Sequence, residues 1–253
     1  QPFILKFDAA VYSSSAFAQQ MPMRQVLIAP SIDPLSEKNR ELSSEEVAAI
    51  LQRLGIPQDR PIITQVSRFD YLKDPLGVLD AFRRVRKSIK CRLVLAGGPA
   101  SDDPEGEDVL NRVREEANNQ PDIHLLMLPP DSHLEINELQ RASAVIVQKS
   151  LREGFGLTVS EALWKARPVV ASAVGGIPLQ VKHRYSGLLV HSVEGAAYAI
   201  KQLLNDPDYA KRLGENGREH VRQNFLLTRH LQDYLLMFLT LGCSDDVIYL
   251  NDR

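Results

Sequence analysis

From residue 61 onward, short runs rich in β-branched residues alternate with longer stretches of helical periodicity, and that alternation leaves few folds open. Strand, helix and strand in series is the pattern of a parallel sheet wrapped by helices, because parallel neighbours need a long crossover between them. The runs fall at 62–66, 92–96, 123–127, 144–147, 169–171 and 188–190. Most are continuously apolar, without the alternation of a half-exposed strand, so they are expected to be covered on both faces. The fold class is therefore α/β, with a parallel sheet wrapped by helices.

The helices between them carry their own punctuation. Asp74 before Pro75 reads as an N-cap with a first-turn proline, opening a helix to about Ser88 with Leu76, Leu79, Phe82 and Val85 on one face. Ser132 with Glu135 predicts a capping box for a helix through Ala142, and Ser43 with Glu46 predicts another. Residues 194–223 read as two helices broken at Asp206 and Pro207, and 227–241 as a last one in which Met237, Phe238 and Leu239 pack. Residues 9–12 and 26–28 read as two short strands outside the alternation. Pro30, Pro34 and the polar stretch 36–44 then read as a linker, with a boundary near residue 35.

Composition removes several functions. The 253 residues suit one to two domains, and 30 Lys and Arg against 32 Asp and Glu give a net charge of −2. No bulk field therefore selects nucleic acid or an anionic membrane. Cys91 and Cys243 form no CxxC and read as inert thiols in a reducing compartment, which points to the cytoplasm. No run approaches the roughly 18 apolar residues of a spanning helix, and the first residues are too short an apolar run for a signal peptide. The start at Gln1 reads as a processed chain or a piece of a longer one. The histidines show neither HxxxH nor HExxH, so a zinc site has little support, and neither GxSxG nor GxxxxGKS occurs.

The most informative segment is EGFGLTVSE at 153–161. Gly154 and Gly156 permit backbone conformations other residues resist, and a helix starting near Leu157 points unpaired N–H groups back into the loop, an anion site. Glu161, about one turn inside, is by itself explained as a partner of the positive helix end. Glu153 stands beside a glycine turn at the end of a parallel strand, where such sheets bind ligands. Arg68 and Lys73 follow the strand 62–66 and can both reach that crevice to neutralise a diphosphate. Two glycine pairs, Gly97 with Gly98 and Gly175 with Gly176, let a ligand approach main chain, although neither makes the GxGxxG of a dinucleotide site.

Taken in order, Arg68 with Lys73 (RxxxxK), AGGP at 96–99, EGFGLTVSE, and AVGGIP at 173–178 resemble the donor half of retaining GT-B glycosyltransferases of family 4, the glycogen synthase and sucrose synthase kind. PSIDPLSEKNREL at 30–42 and VQKSLREGFGLTVSEALWK at 147–165 are similar to the trehalose glycosyltransferring synthase subgroup. The resemblance implies two Rossmann-like domains across a cleft. Residues 36–225 would be the nucleotide-sugar domain, 1–35 a remnant of the acceptor domain, and 226–253 a crossover helix and tail.

It further implies that Arg68 and Lys73 hold the diphosphate, that Glu161 binds the ribose hydroxyls and that Glu153 contacts the transferred sugar. Main chain near Gly156, Leu157 and Thr158 would complete the phosphate cradle, with Gly154 and Phe155 beside it among the donor-binding residues. Gly97, Gly98 and main chain near Leu128 and Pro129 would border the nucleoside. The implied donor is ADP-glucose or UDP-glucose with glucose as acceptor and trehalose as product, without metal or other cofactor. The implied partners are the missing acceptor domain and, left open, a second copy in a homodimer. A trehalose phosphorylase using glucose 1-phosphate and a non-catalytic nucleotide-sugar-binding module stay open beside it. One departure from the family pattern is the stretch 183–186 before Gly187, where an acidic residue and glycine are usual.

Overall fold

A computed structural model describes residues 3–98, 104–118 and 120–242. In chain order the elements are β1 (Ala9–Tyr12), β2 (Arg24–Leu27), α1 (Ser44–Arg53), β3 (Ile62–Val66), α2 (Pro75–Arg86), β4 (Arg92–Gly97), α3 (Pro104–Ala117) and β5 (Ile123–Met127). They continue with α4 (His133–Ala142), β6 (Val145–Gln148), α5 (Leu157–Trp164), β7 (Val169–Ser172), α6 (Ile177–Gln180), β8 (Leu188–Val190), α7 (Val193–Asn205), α8 (Pro207–Asn224) and α9 (Leu227–Gly242).

β3 to β8 form one parallel sheet in the order β5-β4-β3-β6-β7-β8. The chain runs outward from β3 to β5, returns to the middle at β6 and then runs outward on the other side. The switch lies between β3 and β6, so the loops after these two strands diverge and leave a crevice at the carboxyl ends. β3, β4, β6 and β7 are buried at every position, as their mostly apolar runs lead one to expect, and the burial includes the polar Thr64, Gln65, Arg92, Gln148 and Ser172. β5 is an edge strand and only half-buried, which its equally apolar sequence did not announce.

Alternate strand residues feed two opposite layers. Ile63, Leu93, Leu95, Val145 and Val147 pack with α2, α3 and α7, while Ile62, Val94 and Ala96 pack with α1 and α4, and Ile146, Val169 and Ala171 with α5 and α8. Phe82 of α2 is fully buried in the first layer, and its truncation to Ala is expected to cost about 3 to 5 kcal/mol.

The helix starts follow their sequence signals with one exception. Asp74, at φ +48°, accepts from the Gly77 amide at 3.0 Å, and Pro75 opens α2. The Ser43 hydroxyl accepts from Glu46 N while Glu46 accepts from Ser43 N, a complete capping box. The box expected at Ser132 and Glu135 does not form. Ser132 makes no side-chain cap, and the Glu135 carboxylate is taken by Arg53 of α1 at 2.7 Å. α3 and α6 were not anticipated from the sequence.

β1 and β2 pair in parallel in a separate two-stranded sheet, with β2 two residues earlier in the chain than expected. The stretch 36–44 is no slack linker. Asn137 donates to the carbonyls of Glu37 and Arg40, both at 2.9 Å, so its backbone is fastened to α4. At the far end, Ile32 bridges to Leu226, and Arg229 of α9 donates to the Ala29 carbonyl at 2.7 Å. Of the three residues expected to pack in α9, Met237 is buried but Phe238 and Leu239 are exposed. They share a face with Leu227, Leu231 and Leu235, which the described residues leave uncovered. Among the described residues no helix is long and apolar enough to cross a membrane. Cys91 is buried, and burial pushes its thiol up to about 11; Cys243 and Pro99 lie outside the described residues.

The stretch 183–186 closes its turn without the usual glycine. Arg184 takes the left-handed conformation at φ +64°, and its amide donates to the Gly187 carbonyl at 2.8 Å.

Candidate functional site

The loop after β3 is held in shape by Asp70, which is buried and accepts from the Lys73 amide at 3.0 Å. The Gln65 side chain donates to the Lys73 carbonyl at 2.8 Å. Arg68, half-exposed, pairs with Asp70 at 3.3 Å. The loop after β6 lies beside it: the Leu151 amide donates to the Leu72 carbonyl at 2.8 Å, and Lys149 pairs with Asp74.

Across this junction Lys73 Nζ donates to Glu153 Oε2 at 2.7 Å. Gln148 Nε2 and the Ser150 hydroxyl donate to the same oxygen at 3.2 and 3.1 Å. The Glu153 side chain is 8% exposed, and so concentrated a donor set holds its carboxylate in one place. α5 begins directly behind it. Gly156 at φ +82° is its N-cap and supplies no capping side chain, so the first amides of the helix face the same crevice with the positive end of the helix.

The glycines divide by role. Gly156 uses the left-handed conformation that glycine permits, whereas Gly154 has no positive φ and a Cβ there would meet nothing within 4 Å, so the permission expected at both is used only at Gly156. Gly175, at φ +56°, abuts the Glu153 carbonyl so closely that a Cβ would overlap it. Gly176 donates to the Gly154 carbonyl at 2.9 Å. This pair packs on the main chain of the Glu153 loop and braces it. Gly97 has the same use, since a Cβ would overlap the Ser67 carbonyl.

A cavity of about 630 Å³ joins these parts. Arg68, Lys73, Glu153, Phe155, Gly156, Leu157, Thr158 and Glu161, all expected at the site, line it together. A smaller hollow of about 330 Å³ shares Arg68, Lys73 and Glu153 and adds Gly154, Arg152 and Phe17 from the N-terminal segment. Gly97, Gly98 and Leu128 are not among the lining residues of either. Leu128 is buried, and its amide donates to the Gly97 carbonyl at 3.0 Å at the ends of β4 and β5. Phe155 packs edge to face on Phe225 at 5.6 Å, which anchors the loop to α8.

Four contributors escaped the sequence reading. Gln148, Ser150 and Asp70 carried no expected role, and Lys38 stood only within the polar stretch 36–44. Lys38 lines the cavity and pairs with Glu161 at 3.1 Å. No local pattern marks such a pair, whose members are far apart in sequence. The arrangement presents cations and helix amides for an anion, with carboxylates beside them for hydroxyl groups.

Residues 46–220 match the family described as glycosyl transferases group 1. The chain belongs to that family. Within it, the chain is 46% identical over 245 residues to a trehalose synthase of Rubrobacter xylanophilus and 43% identical over 237 residues to one of Thermococcus litoralis. These alignments cover 95% and 92% of this chain and 58% of each relative, so the chain spans little more than half the length of the proteins it matches. The crystal structure of Anabaena HepE in complex with UDP-glucose superposes with a TM-score of 0.78 at 18% identity, over 92% of this chain and 64% of that one, a likeness of fold.

Proposed function

We propose that the chain is the donor-binding half of a retaining glucosyltransferase that joins glucose from a nucleotide-activated glucose, ADP- or UDP-linked, to glucose and so forms trehalose. The observation that carries this reading is the meeting of Arg68, Lys73, Glu153 and the open amino end of α5 around one cavity at the switch point. The names of the trehalose synthase relatives support the product, and the UDP-glucose held by HepE supports the donor class.

The chemistry follows from charge. Breaking the bond between the anomeric carbon and the phosphate oxygen leaves negative charge on the diphosphate and positive character on the sugar. Arg68, Lys73 and the α5 amides are preorganised for the departing diphosphate, which needs no rearrangement as charge develops. Glu153 polarises sugar hydroxyls beside it, and Glu161 accepts from the ribose hydroxyls. No metal takes part in this reading, and residues 36–225 make up the nucleotide-sugar domain.

Calorimetry with ADP, UDP, glucose 1-phosphate and inorganic phosphate tests it. Binding of a nucleoside diphosphate well above that of glucose 1-phosphate is expected. Binding of glucose 1-phosphate with no response to either nucleotide would replace the reading by that of a phosphorylase.

A further inference from the structure

The diphosphate chemistry leaves the pair formed by Lys38 and Glu161 unexplained. Glu161, on the second turn of α5, is 4% exposed, with Oε1 at 3.1 Å from Lys38 Nζ. Its other oxygen, Oε2, is buried and has no hydrogen-bond partner among the described residues. A buried acceptor without a donor is costly, and here it belongs to a side chain that lines the cavity.

Lys38 arrives from a turn whose backbone is already fixed. Asn39 donates to the Asp33 carbonyl at 2.9 Å, and its Oδ1 accepts from Lys165 Nζ at 3.0 Å. Lys165 in turn donates to Gln140 at 2.8 Å and to the carbonyl of Glu161 itself at 3.1 Å. The turn that carries Lys38 and the helix that carries Glu161 are thus bolted together one residue away from the ion pair. Lys38 gives the more deeply buried carboxylate its direct ion-pair partner.

We propose that Lys38 is a positioning residue for the nucleoside end of the site: its ammonium fixes one oxygen of Glu161 so that the other is presented to the vicinal hydroxyls of a ribose. Lys38 then sets selectivity for nucleoside diphosphate over bare diphosphate. This rests on the reading that the cavity takes a nucleoside diphosphate with its ribose at Glu161.

The test measures dissociation constants of ADP, UDP and pyrophosphate for the wild type, Lys38→Met, Lys38→Gln, Lys38→Arg, Glu161→Gln and the double variant Lys38→Met/Glu161→Gln. Both neutral replacements are expected to weaken the better nucleoside diphosphate about tenfold, the loss of one charge-assisted contact, and to leave pyrophosphate within about twofold. Lys38→Arg keeps most of the affinity, and Lys38→Met adds nothing further in the Glu161→Gln background. Equal losses for nucleotide and pyrophosphate, or an undiminished loss in the Glu161→Gln background, would show Lys38 acting on phosphate or merely on the turn and would overturn the proposal. A wild type that binds pyrophosphate but neither nucleotide overturns the nucleotide reading itself, and the proposal with it.

Discussion

Lys73 Nζ and Glu153 Oε2 meet at 2.7 Å across 80 residues of chain, joining the loops that follow the two central strands of the sheet. Both partners belong to this chain, so folding itself brings the two loops together. Removing Lys73 leaves a mostly buried carboxylate with two neutral donors, Gln148 and Ser150. Lys73→Met is expected to lower stability by about 1 to 3 kcal/mol in urea denaturation, and adding Glu153→Gln is expected to recover part of it. No recovery in the double variant would show that packing of the Lys73 stem, and not the charge, was lost.

Arg68→Ala and Lys73→Ala are each expected to raise the dissociation constant of the bound nucleoside diphosphate about tenfold or more, a charge-assisted hydrogen bond contributing about 1.5 to 3 kcal/mol. Calorimetry reads this directly. Unchanged affinity in both variants would take the pair out of the diphosphate site.

Gly175→Ala places a methyl group on the Glu153 carbonyl and does so at φ +56°. The variant is expected to lose about 2 to 4 kcal/mol of stability and to bind nucleotide more weakly, because the Glu153 loop must shift. Gly154→Ala, in open space, is the control and should stay within about 0.5 kcal/mol. Similar unfolding midpoints for the two variants would contradict the bracing role of Gly175.

Two buried groups give stability opposite dependences on pH. Glu138 of α4 is fully buried with both oxygens unpartnered among the described residues, and burial pushes its pKa from 4.5 up to about 8. Between those values the folded chain holds a proton that the unfolded chain releases, so stability falls as pH rises through this window. Glu138→Gln should remove that fall, as urea midpoints at pH 5, 7 and 9 would show.

Burial lowers the Lys165 pKa from 10.5 to about 7, against the opposing pull of the Glu161 carboxylate. Between pH 7 and 10.5 the unfolded chain binds the extra proton, so this lysine makes stability rise with pH, its penalty being full below that window. The wild type should therefore gain on Lys165→Met as pH rises above 7. A difference that is flat with pH would mean that Lys165 keeps its proton throughout.

The sugar-transfer reading carries its own expectation for this chain. It corresponds to 58% of the length of its trehalose synthase relatives, and transfer needs an acceptor hydroxyl held against the anomeric carbon. Such positioning contributes about 7 to 11 kcal/mol to catalysis. Nucleotide binding with little or no disaccharide formation is expected when the purified chain is given ADP- or UDP-glucose and glucose. Trehalose made at ordinary enzymatic rates, read by chromatography, would contradict it.

Much of the site was legible because its parts follow strands. Arg68, Lys73 and Glu153 could be placed at carboxyl ends once the runs 62–66 and 144–147 were read as parallel neighbours, and Gly156 once a helix was seen to begin at Leu157. What escaped depends on tertiary partners. Lys38 acquires meaning only from Glu161, which lies on another element. Ser132 and Glu135 matched a capping box in sequence, yet Arg53 of a different helix competes for the carboxylate more strongly. Gly97 and Gly175 admit neighbouring main chain, a packing role that spacing does not encode. The edge position of β5 was hidden for a similar reason, since strand order is set by crossovers and not by local composition.

The grip of α9 on the segment before α1 bears on how the protein is made. Arg229 and Ala29 are 200 residues apart, the Ile32 amide donates to the Phe225 carbonyl at 2.9 Å, and the Leu227 amide returns to the Ile32 carbonyl at 3.1 Å. A ribosome adding about 5 to 20 residues per second releases the later partners ~10 to 40 s after the earlier ones. During that interval the central sheet can form, but Ile32 and the carbonyls around it wait without their cover. The clasp between α9 and the segment before α1 can therefore close only after the central sheet has had time to form, and the nascent chain is most exposed to wrong pairings just before it closes.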